Sequence, residues 1–261
     1  LMLKGSRFLA ILLAIVIFGS CSSPEESSDY VSDLTTSNFS NPYAFIGSIH
    51  NEAMDSVVAQ KISLSNLKSF NRDFTNKKLS KIKGFDGEKI STEALNAGYD
   101  IGLKMKQVKT RATLDNLTDS LICCIPEEGR PYVSKMFQIC DKQITDTIEI
   151  NKIFNDIDSN IYYDVNLNDT LKGALLAISS IARATNIYNS KPLSTRGATW
   201  GSTAHADLGG AIAGLGWRAL FRASYRGLMF GPGGIVVGFA KDCVVGAISS
   251  SALHVISRGY F

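Results

Sequence analysis

From residue 41 onward, apolar side chains recur at three- and four-residue intervals, the period that gathers them on one face of an α-helix. Ile46, Ile49, Ala53 and Val57 open the series behind Asn41-Pro42, an Asn suited to an N-cap and a Pro suited to a first turn. Further helices are expected over 64–82, 88–108, 113–125, 131–145, 148–160, 168–188, 203–229 and 233–257. Turn signals at Gly84 to Gly87, Pro126 to Pro131 and Lys191-Pro192 separate them. In 164–190, Asn168 and Asp169 cap a helix whose Leu171, Leu175, Ile178 and Ala182 line one buried face. Few segments alternate with period two and nothing repeats at a fixed period. The expected fold is therefore all-α: an irregular helical bundle over 41–198 with a C-terminal glycine-rich helical hairpin, 199–261, packed on it or extending it.

The first forty residues break the pattern. Lys4 and Arg7 precede an unbroken apolar run, Phe8 to Phe18, which is too short to span a bilayer and is closed by Gly19-Ser20-Cys21. This has the order of an export signal over 1–20. The small residues before Cys21 resemble the lipobox of bacterial lipoproteins, which implies a diacylglyceryl group on Cys21 and cleavage in front of it. Residues 21–40 are acidic and rich in Ser and Thr with little to bury, so a disordered tether is expected there. Glu25 and Glu26 resemble the acidic signal that carries some lipoproteins of Bacteroidetes-type bacteria to the cell surface. The expected location is the outer membrane, on its periplasmic or its external face, with Cys21 as the membrane contact.

Composition narrows the class. The chain has 261 residues, 45% of them hydrophobic and 20% charged, with no internal uncharged apolar run long enough to cross a bilayer. Wholesale disorder, a collagen-like repeat and a polytopic membrane protein are excluded. A net charge of +3 is too weak to imply nucleic acid as a partner. The charges are blocked, however. Residues 21–60 carry six acids and no Lys or Arg, 61–112 carry twelve bases against five acids, 113–170 eleven acids against four bases, and 171–261 nine bases against two acids. Opposite blocks within one body are expected to meet as complementary helix faces.

Half of the glycines, 11 of 22, fall between 201 and 246, although a helical Gly costs roughly 1 kcal/mol against Ala. Gly210 and Gly214, and Gly234 and Gly238 continued by Asp242 and Gly246, set small residues four apart, which lets two helix backbones approach closely. Arg218, Arg222 and Arg226 form a cationic stripe at the same spacing. Either the hairpin is core and the arginines meet the acidic block at 113–170, or 199–261 is membrane-active, like a bacteriocin, with the arginines among lipid headgroups. Lys241-Asp242 and the arginines interrupt any transmembrane hairpin.

Candidate chemistry is sparse. The three histidines are His50, His205 and His254. His50, Asn51, Asp55, His205 and Asp207 form a weak polar cluster if the tail folds back on the first helix, and the set admits a metal-dependent hydrolase as a distant reading. The favoured role for His50 and Asn51 is to cap or cross-link helices through satisfied hydrogen bonds. No Walker loop, Rossmann fingerprint, GxSxG elbow or HExxH pair is present, and no cofactor or metal is called for. Cys243 and His254 are too far apart along one helix to act together. Cys123, Cys124, Cys140 and Cys243 lie in apolar patterns and are expected to behave as small hydrophobes. If any pair oxidises, Cys140 with Cys123 or Cys124 is the sensible one.

Asn41-Pro42-Tyr43-Ala44-Phe45-Ile46-Gly47-Ser48-Ile49-His50-Asn51 resembles the NPYxxxGxxHN opening of uncharacterised Bacteroidetes-type exported lipoproteins. The segments Ala174 to Arg183 and Ala206 to Gly214 are similar to an internal helix and to the Ala-Asp glycine-rich tail of that family. The resemblance covers most of 41–258, implies no activity, and implies that tail and body are one unit. The function expected is a membrane-anchored envelope lipoprotein that binds or scaffolds an envelope protein and has no catalytic chemistry.

Overall fold

A computed structural model describes residues 39–82, 90–142, 144–190, 200–216 and 232–258; in 200–201 and 232–239 it describes the helical backbone only. The chain divides after Ser37, and the body runs as one unit from Asn38 to Phe261. The export signal, Cys21 and all of the tether before Phe39 lie outside the described residues.

Nine α-helices and one 3-10 turn are described, and no strand occurs among the described residues. They are α1 (Ala44–Ala59), α2 (Leu67–Leu79), α3 (Thr92–Gln107), α4 (Arg111–Cys123), the turn Glu127–Gly129, α5 (Arg130–Asp141), α6 (Thr147–Tyr163), α7 (Asp169–Ser190), α8 (Trp200–Leu215) and α9 (Pro232–Ser257). The fold is all-α.

Local chemistry sets the starts. Ser91 accepts from the Ala94 N–H at 3.1 Å, Asp146 from Ile148 at 2.8 Å and Asn168 from Leu171 at 2.9 Å, each satisfying a first-turn donor that the helix itself leaves open. Thr110 and Thr113 form a reciprocal capping box on α4. At the first helix the expected N-cap, Asn41, is displaced by two residues to Tyr43. Asn41 Oδ1 accepts from Tyr43 N–H at 2.8 Å, so it caps the entering turn, and α1 begins at Ala44.

The core is organised around α9, which touches α1, α2, α3, α7 and α8. Between Ala240 and Val255 nearly every position is buried, on all sides of the helix. An apolar circumference of this kind is stable in water only when other helices surround it. Glycine sets how close they come. A Cβ at Gly246 would strike the Gly210 carbonyl and stand 2.7 Å from Gly214 Cα, and a Cβ at Gly98 would stand 2.7 Å from Gly246 Cα. Three helix backbones, α3, α8 and α9, therefore meet at one point where no side chain fits. Gly102 extends the α3 contact, a Cβ there lying 2.9 Å from Ser250 O.

One predicted element differs. The helix expected over 203–229 begins at Trp200 and ends at Leu215, because Gly216 takes φ 51° and its N–H turns back to Ala213 O at 3.1 Å. A left-handed glycine just past the last helical residue is a standard stop. Arg218, Arg222 and Arg226, which the longer helix would have carried, lie outside the described residues.

The ion pairs join the charge blocks read from the sequence. Lys78 pairs with Glu52, Arg111 with Asp115 and Asp141, and Arg183 with Asp158. The four described cysteines are free thiols, Cys140 and Cys243 buried but Cys123 and Cys124 exposed, so the expectation that these four act as small hydrophobes in the core holds for two. Among the described residues no helix is long and apolar enough to cross a membrane.

Candidate functional site

The first helix is pressed onto α7 at Gly47, whose added Cβ would lie 2.6 Å from Ala184 Cβ and whose N–H donates to Ser180 Oγ at 3.1 Å. One turn on, this contact carries His50 and Asn51 into the junction of α1, α7, α8 and α9. The Asn51 amide donates to Ala184 O at 3.0 Å, leaving its oxygen to face His50 Nδ1 at 3.1 Å. An oxygen there requires Nδ1 to carry the proton. On the other side, His50 Nε2 is 3.4 Å from Ser251 Oγ and 3.7 Å from Asp207 Oδ1. The second distance is too long for a hydrogen bond and is an electrostatic contact, so Asp207 Oδ1 has no hydrogen-bond partner of its own. Its Oδ2 accepts from Thr185 Oγ1 at 2.6 Å.

Burial alone would push the His50 imidazole below its ordinary value, but the Asp207 carboxylate and the Asn51 oxygen outweigh it and hold the pKa above that value. The shift favours the protonated ring, which faces the Asp207 carboxylate with both side chains at most 3% exposed.

Ser, His and Asp thus meet, yet not as a nucleophilic triad. A triad needs the serine on one ring nitrogen and the carboxylate on the other. Here both face Nε2, Nδ1 is taken by Asn51, and Ser251 Oγ donates to Ala247 O at 2.8 Å. No substrate reaches a hydroxyl in that setting.

The remaining predicted residues go elsewhere. His205 and Asp207 are two apart, which turns their side chains by about 200° around α8. His205 stacks on Phe137 with ring centroids 5.0 Å apart and places Nε2 3.5 Å from Asp141 Oδ1, where Asp141 is gripped by both Nη atoms of Arg111. Burial pushes the His205 pKa down. Asp55 accepts from the Tyr188 hydroxyl at the far end of α7. His254, one turn along α9 from Ser251, contacts Ser202 Oγ at 3.2 Å, and burial pushes its pKa down to about 4. Among the described residues no three His, Cys, Asp or Glu side chains converge as a metal set.

Sequence reasoning missed Thr185 and Ser251, and also Asn71 on α2, which donates to Val245 O and Ser249 Oγ, both at 2.9 Å. The triplet Ser249-Ser250-Ser251 inside an apolar run was the signal for the contacts of Ser251 and Asn71; nothing local signalled Thr185.

A cleft of about 280 Å³ lies at the α1–α7 crossing. Asn41, Ser48, Asn51, Ser180 and Arg183 give it a polar wall and Ile187 an apolar end. Asn51 belongs to both cleft and cluster, one side of its amide in the cleft wall and its oxygen on His50. No family model, curated protein or solved structure matches the chain, so the site stands on its own chemistry.

Proposed function

We propose that the protein is an envelope lipoprotein of the outer membrane, anchored through a diacylated Cys21, that acts as a noncatalytic binding or scaffold module for an envelope protein. The observation that carries this is the closure of the His50–Asp207–Ser251 cluster, where acid, base and hydroxyl meet buried among four helices, in contacts that cross-link them. The resemblance of 41–51 to an exported lipoprotein opening, and Glu25 and Glu26 behind Cys21, favour attachment outside the cytoplasm, on the periplasmic or the external face.

The alternative, a membrane-active effector in residues 199–261, asks the tail to leave the body. Burial of α8 and of α9 from Ala240 to Val255 among the other helices speaks for the tail as core. The test is dye leakage from anionic liposomes, with the protein and with its Arg218→Gln, Arg222→Gln, Arg226→Gln triple variant. The scaffold proposal expects no leakage from either; leakage that depends on the three arginines overturns it.

A further inference from the structure

Three apolar side chains stand in water within four positions at the end of α6. Tyr162 and Tyr163 close the helix, and Val165, 91% exposed, follows in the connection to α7. The helical period that buries Ile157 and Ile161 turns the two tyrosines outward. Val165 is held out by a tight turn: Asp164 O accepts from Leu167 N–H at 3.3 Å, Asp164 Oδ1 accepts from Asn166 N–H at 2.9 Å, and Leu167 is buried as the turn's anchor. The patch has a fixed flank as well. Phe39 lies against Tyr162 with ring centroids 4.6 Å apart, and Tyr163 meets Tyr162 nearly at right angles, at 5.0 Å.

Two observations say what covers this surface. One is covalent. Phe39, on the flank of the patch, is the described residue nearest in the chain to Cys21, and the 18 residues between them span at most about 65 Å in any conformation. A lipid on Cys21 therefore raises the effective concentration of membrane at this end of the body. The other is chemical. Tyrosine pairs an apolar ring with a polar tip, the combination that collects where a bilayer meets water. The crossed rings of Tyr162 and Tyr163 make a ridge, unlike the flat, open face on which a sugar ring stacks. Along 153–171 four acids stand without a Lys or Arg, so anionic lipid is disfavoured and a headgroup layer of no net charge fits. Asp164, whose carboxyl the Asn166 N–H and the Tyr132 hydroxyl hold below the usual carboxylate range, stays charged and limits entry to headgroup depth.

We infer that the patch of Tyr162, Tyr163 and Val165 seats the body on a membrane of net-neutral phospholipid, the two rings and the valine entering the headgroup layer. This seating rests on the lipoprotein reading and adds an orientation to it. Ile148, itself 77% exposed, opens α6 about 22 Å from Tyr163 and points the other end of that helix away from the lipid.

The test uses the full acylated chain on phosphatidylethanolamine nanodiscs doped with a lipid that carries a nitroxide on its headgroup, read by methyl NMR. Val165 should be broadened at least about threefold more than Ile148, given the separation of about 22 Å along α6. Tyr163→Asp, at an exposed position, should stay folded and bring Val165 to the level of Ile148. In discs of phosphatidylglycerol the excess at Val165 should shrink. An acylated chain held on the disc with Val165 and Ile148 broadened equally, or with Ile148 broadened more, overturns the seating and leaves the anchor in place. Self-association of the acylated chain in detergent that Tyr163→Asp abolishes would assign the patch to a second copy and overturns it too. A chain without a diacylglyceryl mass on Cys21 overturns the lipoprotein reading, and the seating with it.

Discussion

His50 Nε2 stands 3.7 Å from Asp207 Oδ1, so an imidazole from the first helix and a carboxylate from the eighth share one buried site. Removing one partner of such a pair strands the other charge, which costs about 3–5 kcal/mol. Asp207→Ala should destabilise the fold by that order in chemical denaturation, since it also takes the acceptor from Thr185. Asp207→Asn, which keeps an oxygen for Thr185, should cost less.

The histidines should titrate on opposite sides of the ordinary value. His50 has its pKa raised in the folded state, so its contribution to stability is complete below about pH 6.5 and fades as pH rises through the raised value. His254 is held down to about 4, so its contribution is present above about pH 6.5 and fades as pH falls toward 4. Ring nitrogen NMR should find His50 still protonated where His254 is neutral. In Asp207→Asn, burial is opposed only by the Asn51 oxygen, and the His50 pKa should fall.

Gly246→Ala places a methyl group against backbone on two sides, the Gly210 carbonyl and Gly214 Cα. Backbone of packed helices cannot swing aside as a side chain can, so the loss should reach or exceed the upper end of overpacking costs, about 3 kcal/mol. Gly173→Ala meets only the Tyr43 hydroxyl, at 2.8 Å, and should be milder. Melting temperatures of the two variants decide this.

The thiols should divide two and two. Burial pushes Cys140 up to about 12 and Cys243 higher still, while Cys123 and Cys124 are exposed. In the native protein a maleimide should modify Cys123 and Cys124 promptly and reach Cys140 and Cys243 only on unfolding, as peptide mass mapping would show.

Helical period and cap residues made the fold class and most helix positions legible in the sequence, because both are local. Ile46, Ile49, Ala53 and Val57 are all buried as their spacing requires, and Asn168 caps α7. Gly210 and Gly214 were legible as a contact strip. Their third partner, Gly98, was not, because a glycine in a polar stretch announces nothing until another helix crosses it. The union of His50 with Asp207 was readable as a conditional, whereas the separation of His205 from Asp207 follows directly from a two-residue offset on a helix. The pairing of Arg183 with Asp158 was legible only as an attraction between opposite charge blocks, because which base meets which acid is set by the crossing of α6 and α7.

The placing of α9 at the centre also orders events in time. Its contacts reach back across almost the whole body, as from Ser251 to His50, 201 positions earlier. Contacts of such separation form slowly, and here none can form until α9 itself has left the ribosome. The nascent chain must wait, with its earlier helices lacking the surface they close upon. A stall or nonsense codon ahead of α9 would thus yield an open, protease-sensitive polypeptide in place of a shortened native one.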